Sequence, residues 1–153
     1  MSPRLFYRTL SIAEAVTWTM LLTGMFLKYV VDVTDVGVTI GGAAHGFVFL
    51  AYCMTVVVVG LNQRWSVGLM IGGFASAVVP YATIPFDRWL ERRDRLTGGW
   101  RRTAVEGDPR DSRPLDRLVR WLIRHPVLFG ALFVVALVAV YATLLVVGPP
   151  GGD

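Results

Sequence analysis

Apolar residues in this chain come in long blocks rather than at regular intervals. Four blocks, at residues 10–31, 42–61, 66–86 and 127–147, each reach the roughly 20-residue length that crosses ~30 Å of hydrocarbon. Polar residues collect in one sizeable segment, 87–125. The pattern predicts an all-α membrane protein with four transmembrane helices, plus a cytoplasmic amphipathic helix before the last span. The blocks fill more than half of the 153 residues, which leaves no room for a separate soluble domain.

Local signals refine this plan. In the first block Glu14, Thr17, Leu21, Gly24 and Lys28 recur every three or four residues, so they share a helix face. The remainder, including Ile12, Val16, Met20, Leu22 and Phe26, suits lipid, so the polar stripe should face the bundle. The loop expected at 32–41 holds Asp32 and Asp35 and no arginine. The turn at 62–65 is so short that the second and third blocks must be antiparallel neighbours. Gly42 and Gly46, and then Gly68, Gly72 and Ser76, stand at spacing four, a surface that lets membrane helices approach closely. Pro80 and Pro85 should break or kink the end of the third helix, and 87–93 is expected to continue it out of the membrane.

Residues 97–100 and 107–112 read as turns. A helix is predicted over 114–124, because Leu115, Leu118, Val119, Leu122 and Ile123 follow the amphipathic spacing. Arg117, Arg120 and Arg124 take the other side, and Ser112 is the expected N-cap. Joined directly to a span, such a helix should lie in the membrane interface. The tail 148–153 reads as disordered. The resulting domains are a three-span core at 5–93, a polar Arg-rich loop at 94–125 containing the amphipathic helix, a fourth span at 126–147, and the tail.

Composition agrees: 54% of residues are hydrophobic and the mean hydropathy is +0.55. The basic residues are 14 Arg and one Lys, a bias that fits a GC-rich bacterial genome. Cys53 is the single cysteine, so an intrachain disulfide is excluded, and a mid-span thiol reads as a small apolar residue. The first block is too long for a cleaved signal peptide, carries Glu14 early and lacks a cleavage site, so it is expected to be retained. The net charge of +4 does not point to nucleic acid. Anionic lipid headgroups are the nearer partner for a basic loop beside a bilayer.

Eleven of the 14 arginines fall in 87–125. The positive-inside rule therefore expects that loop to be cytoplasmic, in the inner membrane. With four crossings, both termini and the Arg64 turn would lie outside, leaving Arg4, Arg8 and Arg64 there. A re-entrant third segment would change this parity.

Glu14, Lys28 and His45 are the acidic and basic residues within the blocks, and such residues are costly in hydrocarbon. Centring the spans on their apolar blocks puts Lys28 and His45 at one depth, with Tyr29 and Asp32 nearby, and Glu14 toward the opposite face. Histidine titrates near neutral pH, and an acid in apolar surroundings keeps its proton longer, which suits proton relay. A structural reading stands beside it. Lys28 could snorkel, His45 could bond a backbone carbonyl, and Glu14 could pair with Arg8 or Arg64. There is no catalytic triad, metal spacing or phosphate loop, so an enzyme is not expected, nor a cofactor.

The order of Arg8, Ala13-Glu14-Ala15, Gly24-Met25-Phe26-Leu27-Lys28-Tyr29, Ala44-His45-Gly46, Phe49, Tyr52, Trp65 and Val79-Pro80-Tyr81 resembles a small bacterial membrane family. This family is the domain of unknown function 3817, known for its His-Gly motif. The resemblance covers about residues 5–93. It implies a membrane location, about three spans and no assigned activity, with Glu14, Lys28, His45 and Gly46 as marked positions. Many members have Gly where this chain has Ala15. The region after residue 97 is not accounted for.

Three roles follow as expectations. The leading one is a non-enzymatic accessory or assembly subunit of a membrane complex, motivated by the glycine faces. A small oligomeric transporter or proton-coupled carrier would instead use Glu14, Lys28 and His45. A lipid-interacting protein would use the basic loop. The bilayer, a membrane-protein partner and a second copy of the chain are the partners these roles require.

Overall fold

A computed structural model of the chain describes residues 1–105, 108, 111 and 113–148. Among these the structure is all-helical: α1 (Pro3–Tyr29), α2 (Val36–Asn62), α3 (Val67–Val78), α4 (Thr83–Arg92), α5 (Pro114–Arg124) and α6 (Pro126–Val147). Three helices, α1, α2 and α6, are long and apolar enough to cross a membrane, and α3 is a fourth, shorter apolar helix. The chain divides into two compact units, Met1–Trp100 and Arg101–Asp153.

In the first unit α1 and α2 form an antiparallel pair of 27 residues each. Ser2 caps α1 by accepting from the Leu5 amide at 3.2 Å. Pro3 sits in the first turn, where its missing N–H costs nothing. The expected polar stripe does face inward: Glu14, Thr17 and Gly24 are buried, while Ile12, Val16 and Met20 are exposed. Glycine sets the register of the pair. A Cβ on Gly24 would lie 2.3 Å from the Gly37 carbonyl carbon, and one on Gly41 would lie 2.9 Å from that of Met20. Residue 24 thus faces 37, and residue 20 faces 41.

Both helices begin earlier than their apolar blocks suggest. α1 starts at Pro3 rather than residue 10, and α2 starts at Val36 rather than residue 42. Arg4, Arg8 and the stretch from Val36 to Gly41 are helical because their polar or flexible residues sit in the terminal turns of long helices. Hydropathy marks where hydrocarbon begins, not where hydrogen bonding does.

The Pro-broken third block folds into a helical hairpin rather than one long helix. α3 has 12 residues, about 18 Å at the helical rise, too short to cross alone. It runs antiparallel to α2, with Gly60 facing Met70 and Gly73 facing Val56. At its tip the Trp18 indole donates to the Ala77 carbonyl at 3.2 Å. The chain then turns at residues 79–82, with Tyr81 at φ +64°, and α4 returns antiparallel to α1. Thr83 donates to the Ser11 carbonyl at 3.0 Å, Arg8 meets Asp87 at 3.1 Å, and Arg4 meets Glu91. Residues 87–92 therefore do not extend α3. Pro80 supplies no N–H and stops α3, and the reversed α4 is held by its ion pairs to α1.

Arg4, Arg8, Arg64, Arg88, Arg92, Arg93 and Arg95 now share one end of this bundle. The other end holds Lys28, Asp32 and Asp35. The expected division of arginines between the two sides of the membrane is not seen within this unit. The basic end is closed by the Trp65 indole donating to the Arg95 carbonyl and the Trp100 indole donating to the Met1 carbonyl, both at 2.8 Å.

In the second unit α5 has the expected bounds, with Pro114 in its first turn. Its N-cap position is Arg113; Ser112, the expected cap, lies outside the described residues, as do 149–153 of the expected tail. Arg120, expected on the solvent side, is instead buried and donates to Asp111, while Leu115, Leu118 and Trp121 are exposed. The local acid captures the arginine, and the apolar stripe is split: Leu115 and Leu118 face outward, Val119 and Leu122 are half-buried, and Ile123 is buried. α6 carries no charge and is exposed along nearly its whole length.

Candidate functional site

Moving the helix starts toward the N-terminus moves the ionisable residues relative to the helix centres. Glu14 stands two residues from the middle of α1, about 3 Å along the axis, and His45 four residues from the middle of α2, about 6 Å. Lys28 stands twelve residues from the centre of α1, about 18 Å. The glycine-set register puts residue 45 opposite residues 16–17, so His45 meets Glu14 and Thr17 rather than Lys28. The expected Lys28/His45 grouping is corrected on this ground.

Glu14 is fully buried, with 0% exposure, and neither carboxyl oxygen has a hydrogen-bond partner. Its Oε2 lies 3.7 Å from His45 Nδ1, in ion-pair range but too long for a hydrogen bond. Thr17 ties the two helices together. Its Oγ1 is 3.1 Å from the Glu14 carbonyl oxygen, to which it donates, and 3.3 Å from His45 Nδ1. The His45 ring is wedged between Trp18, at 4.2 Å between centroids, and Phe49, at 6.1 Å. An aromatic wall on an imidazole fixes its plane, so Nδ1 keeps facing α1. A modest rotation of the Glu14 side chain would close the gap to a hydrogen bond, and a proton could then pass between carboxyl and imidazole.

A second buried polar group lies on the same α1 face, two turns nearer its N-terminus. Tyr7 and Tyr52, both 0% exposed, share a hydroxyl–hydroxyl hydrogen bond, and Tyr52 also bonds Ser76 Oγ at 2.9 Å. Tyr7, Ser11, Glu14 and Thr17 lie on successive turns of one α1 face, and all are buried. The sequence pattern read from Glu14 onward missed the two earlier members. The same three-or-four spacing, followed back through Ser11 to Tyr7, would have found them.

The remaining expected residues lie elsewhere. Lys28 pairs with Asp35 at 3.3 Å and lies 5.4 Å from the centroid of the exposed Tyr29 ring. Gly46 is half-buried beside His45 in α2. Arg8, offered as a partner for Glu14, instead binds Asp87 and Glu91. Burial pushes the Asp87 carboxyl up, and the hydrogen bond from Arg8 offsets this in part. For Glu91 burial also acts upward, but hydrogen bonds from Arg4 and Arg8 outweigh it and hold the carboxyl below its ordinary value. Among the described residues no group of three or more His, Cys, Asp or Glu side chains is placed to hold a metal ion.

The arrangement centres on residues within a region that a known family profile matches, the domain of unknown function DUF3817, over residues 5–92. The chain belongs to this family. The match ends at the close of α4, so α5 and α6 lie beyond it. A membrane protein of Streptomyces coelicolor, SCO5905, is 41% identical over 88 residues, which is 57% of this chain and 10% of that protein. An uncharacterized membrane protein of Bacillus subtilis, YdzA, is 31% identical over 84 residues, covering 54% of this chain and 86% of that protein. The chain thus spans a small part of the first relative and most of the second. No solved structure matches it.

Proposed function

We propose that this family member is a non-enzymatic protein of the bacterial inner membrane whose working element is the Glu14–His45 pair, a protonatable centre coupled to a membrane process. One observation carries the reading: a fully buried carboxyl at mid-helix with both oxygens unbonded and an imidazole nitrogen 3.7 Å away. A carboxylate in hydrocarbon demands a counter-charge or a proton, and an intramembrane ionisable residue is retained against that cost. The broken α3/α4 hairpin reaches the same depth beside it, the setting in which membrane proteins place ion and proton sites. Clustering of the first unit's arginines supports a cytoplasmic position for that end, and the eleven arginines of 87–125 support the same for that segment by the positive-inside rule.

The test is infrared titration of the full-length protein in lipid nanodiscs. A carboxylic-acid band should appear and vanish reversibly between mildly alkaline and mildly acidic pH, and Glu14→Gln should abolish it. A Glu14 band that is constant across that range would sink the proposal. The accessory-subunit reading keeps part of its basis: of the small-residue face in α3, Gly72 meets Phe86 and Ser76 bonds Tyr52 inside the bundle, while Gly68 meets nothing within 4 Å. Lipid contact through the basic segment is favoured by the outward Leu115, Leu118 and Trp121 of α5, flanked by exposed Arg117 and Arg124.

A further inference from the structure

The buried polar side chains of the first unit are not distributed evenly about the Glu14–His45 pair. Toward the basic end they form a column. Tyr7, Ser11, Tyr52, Thr55, Ser76, Thr83 and Asp87 are each no more than 7% exposed. Tyr7, Tyr52 and Ser76 are joined hydroxyl to hydroxyl, and Thr83 is bonded to the Ser11 carbonyl. Asp87 is within electrostatic reach of both tyrosines, and Cys53 is within reach of the tyrosines and of Glu14. The mouth of the column is the Arg8, Asp87 and Glu91 cluster, where Arg8 is one-third exposed.

Toward the other end the column stops. Beyond Thr17 the next buried residue of α1 is Gly24, and before His45 the buried residue of α2 is Gly41. There the two backbones touch: the space a Cβ would need at Gly24 is already taken by the Gly37 carbonyl group. Between the two helices, backbone packed on backbone leaves no width for water and no side chain to carry a proton; the Thr19 and Thr23 hydroxyls beside this contact are exposed. From Glu14 to this seal is ten residues, about 15 Å, without a buried polar side chain past Thr17.

From this asymmetry we infer that the Glu14–His45 centre exchanges protons with one side of the membrane only, through the Tyr7–Tyr52–Ser76 hydroxyls from the Arg8–Asp87 mouth. The inference rests on the proton-handling reading above. In each transfer a hydroxyl oxygen gains a proton from the mouth side and releases its own inward, and the Ser76 hydroxyl, which donates to the Gly73 carbonyl at 2.7 Å, must turn from that bond to pass its proton on. The net change is one proton bound to the Glu14 carboxylate, and no residue of the column is consumed. The titratable groups facing Glu14 are His45 and Cys53 from α2 and, along the column, Tyr7 of α1, Tyr52 of α2 and Asp87 of α4; α3 contributes none. A site open to one side does not conduct. It reports or couples to the proton activity of that side.

The experiment uses the full-length protein in proton-tight vesicles, following the Glu14 infrared band after an external pH jump. Orientation is measured by labelling Arg92→Cys, at the basic end, in a Cys53→Ala background. The fraction of the Glu14 signal that responds should equal the fraction of molecules with that end outward, and a protonophore should recruit the rest. Tyr7→Phe and Tyr52→Phe should each slow the response about tenfold or more with an unchanged midpoint, while Thr23→Val, at the sealed end, should leave the rate as it was. A response from the whole population before protonophore, or one confined to molecules with the basic end inward, overturns the inference. Unaltered rates in both tyrosine variants overturn the hydroxyl route. The sidedness measurement needs no tyrosine variant, so a misfolded variant does not remove the test. A band that stays silent even with protonophore would refute the proton-handling reading itself, a separate outcome.

Discussion

Gly24→Ala tests the register on which the site depends. A Cβ at this position would stand 2.3 Å from the Gly37 carbonyl carbon and 2.4 Å from its oxygen, both backbone atoms of α2. Ordinary contact begins near 3.4 Å, so the helices must part locally by about 1.1 Å, the difference between 3.4 and 2.3. No side-chain rotation relieves such a clash. Overpacking of a tight interior costs about 1–3 kcal/mol, and a rigid backbone neighbour puts this site at the upper end, about 3 kcal/mol. The matched control is Gly68→Ala in α3, where a Cβ would meet nothing within 4 Å. That change should be neutral or stabilising by up to about 1 kcal/mol, through helix propensity. Reversible unfolding in mixed micelles, or steric trapping in bicelles, reads the difference directly. If the two variants matched within about 0.5 kcal/mol, the ordinary scatter of surface substitutions, the close α1–α2 contact would be wrong. The pairing of Glu14 with His45 would lose its basis with it.

Three further variants probe the ends of the bundle. Glu91 is held below its ordinary value, so it contributes stability above its unfolded pKa and loses it as pH falls through the folded value. Glu91→Gln should therefore cost about 0.5–1 kcal/mol at neutral pH, as partly exposed pairs do, and converge with the parent protein on acidification. Asp87 is held above its ordinary value, so its contribution has the opposite sign: present at low pH and lost as pH rises through the folded value. Asp87→Asn should remove that decline, and unfolding midpoints measured against pH would contradict the assignment if both variants bent the curve the same way. Lys28→Ala breaks an ion pair to the exposed Asp35 and should change stability by less than about 1 kcal/mol. The imidazole resonances of His45 should not move in that variant; a shift would restore the Lys28/His45 grouping that the structure removes.

Much of the architecture was legible in the sequence, for a physical reason. Hydrocarbon imposes length and composition on anything that crosses it, so α6 and the apolar bodies of α1 and α2 stand out, and α5 shows its period cleanly. The inward polar stripe was legible too, because Glu14, Thr17 and Gly24 must share a face wherever the helix ends. Depth was not legible. Hydropathy placed His45 three residues inside its block, and the helix places it nine residues past the start of α2. Six residues are about 9 Å of axial shift, enough to exchange one partner for another. The hairpin was half-legible: Pro80 announced a break, but a break permits either a kinked crossing or a reversal. The reversal is set by Arg8 with Asp87, Arg4 with Glu91 and Trp18 with Ala77, contacts 79, 87 and 59 residues apart in sequence.

That reversal also joins the charge pattern to the chemistry. A crossing third segment would have placed Asp87 and Glu91 on the opposite side from Arg4 and Arg8. It would also have drawn Ser76 away from the tyrosines. The returning α4 instead brings the acids to the arginines and Thr83 to Ser11, and it seats α3 with Ser76 against Tyr52. The same fold-back thus gathers the first unit's arginines at one end and assembles the buried hydroxyls beneath them. The glycine contact of α1 with α2 shuts the far side. On the reading we propose, an acid placed at the blind end of such a column answers to a single compartment.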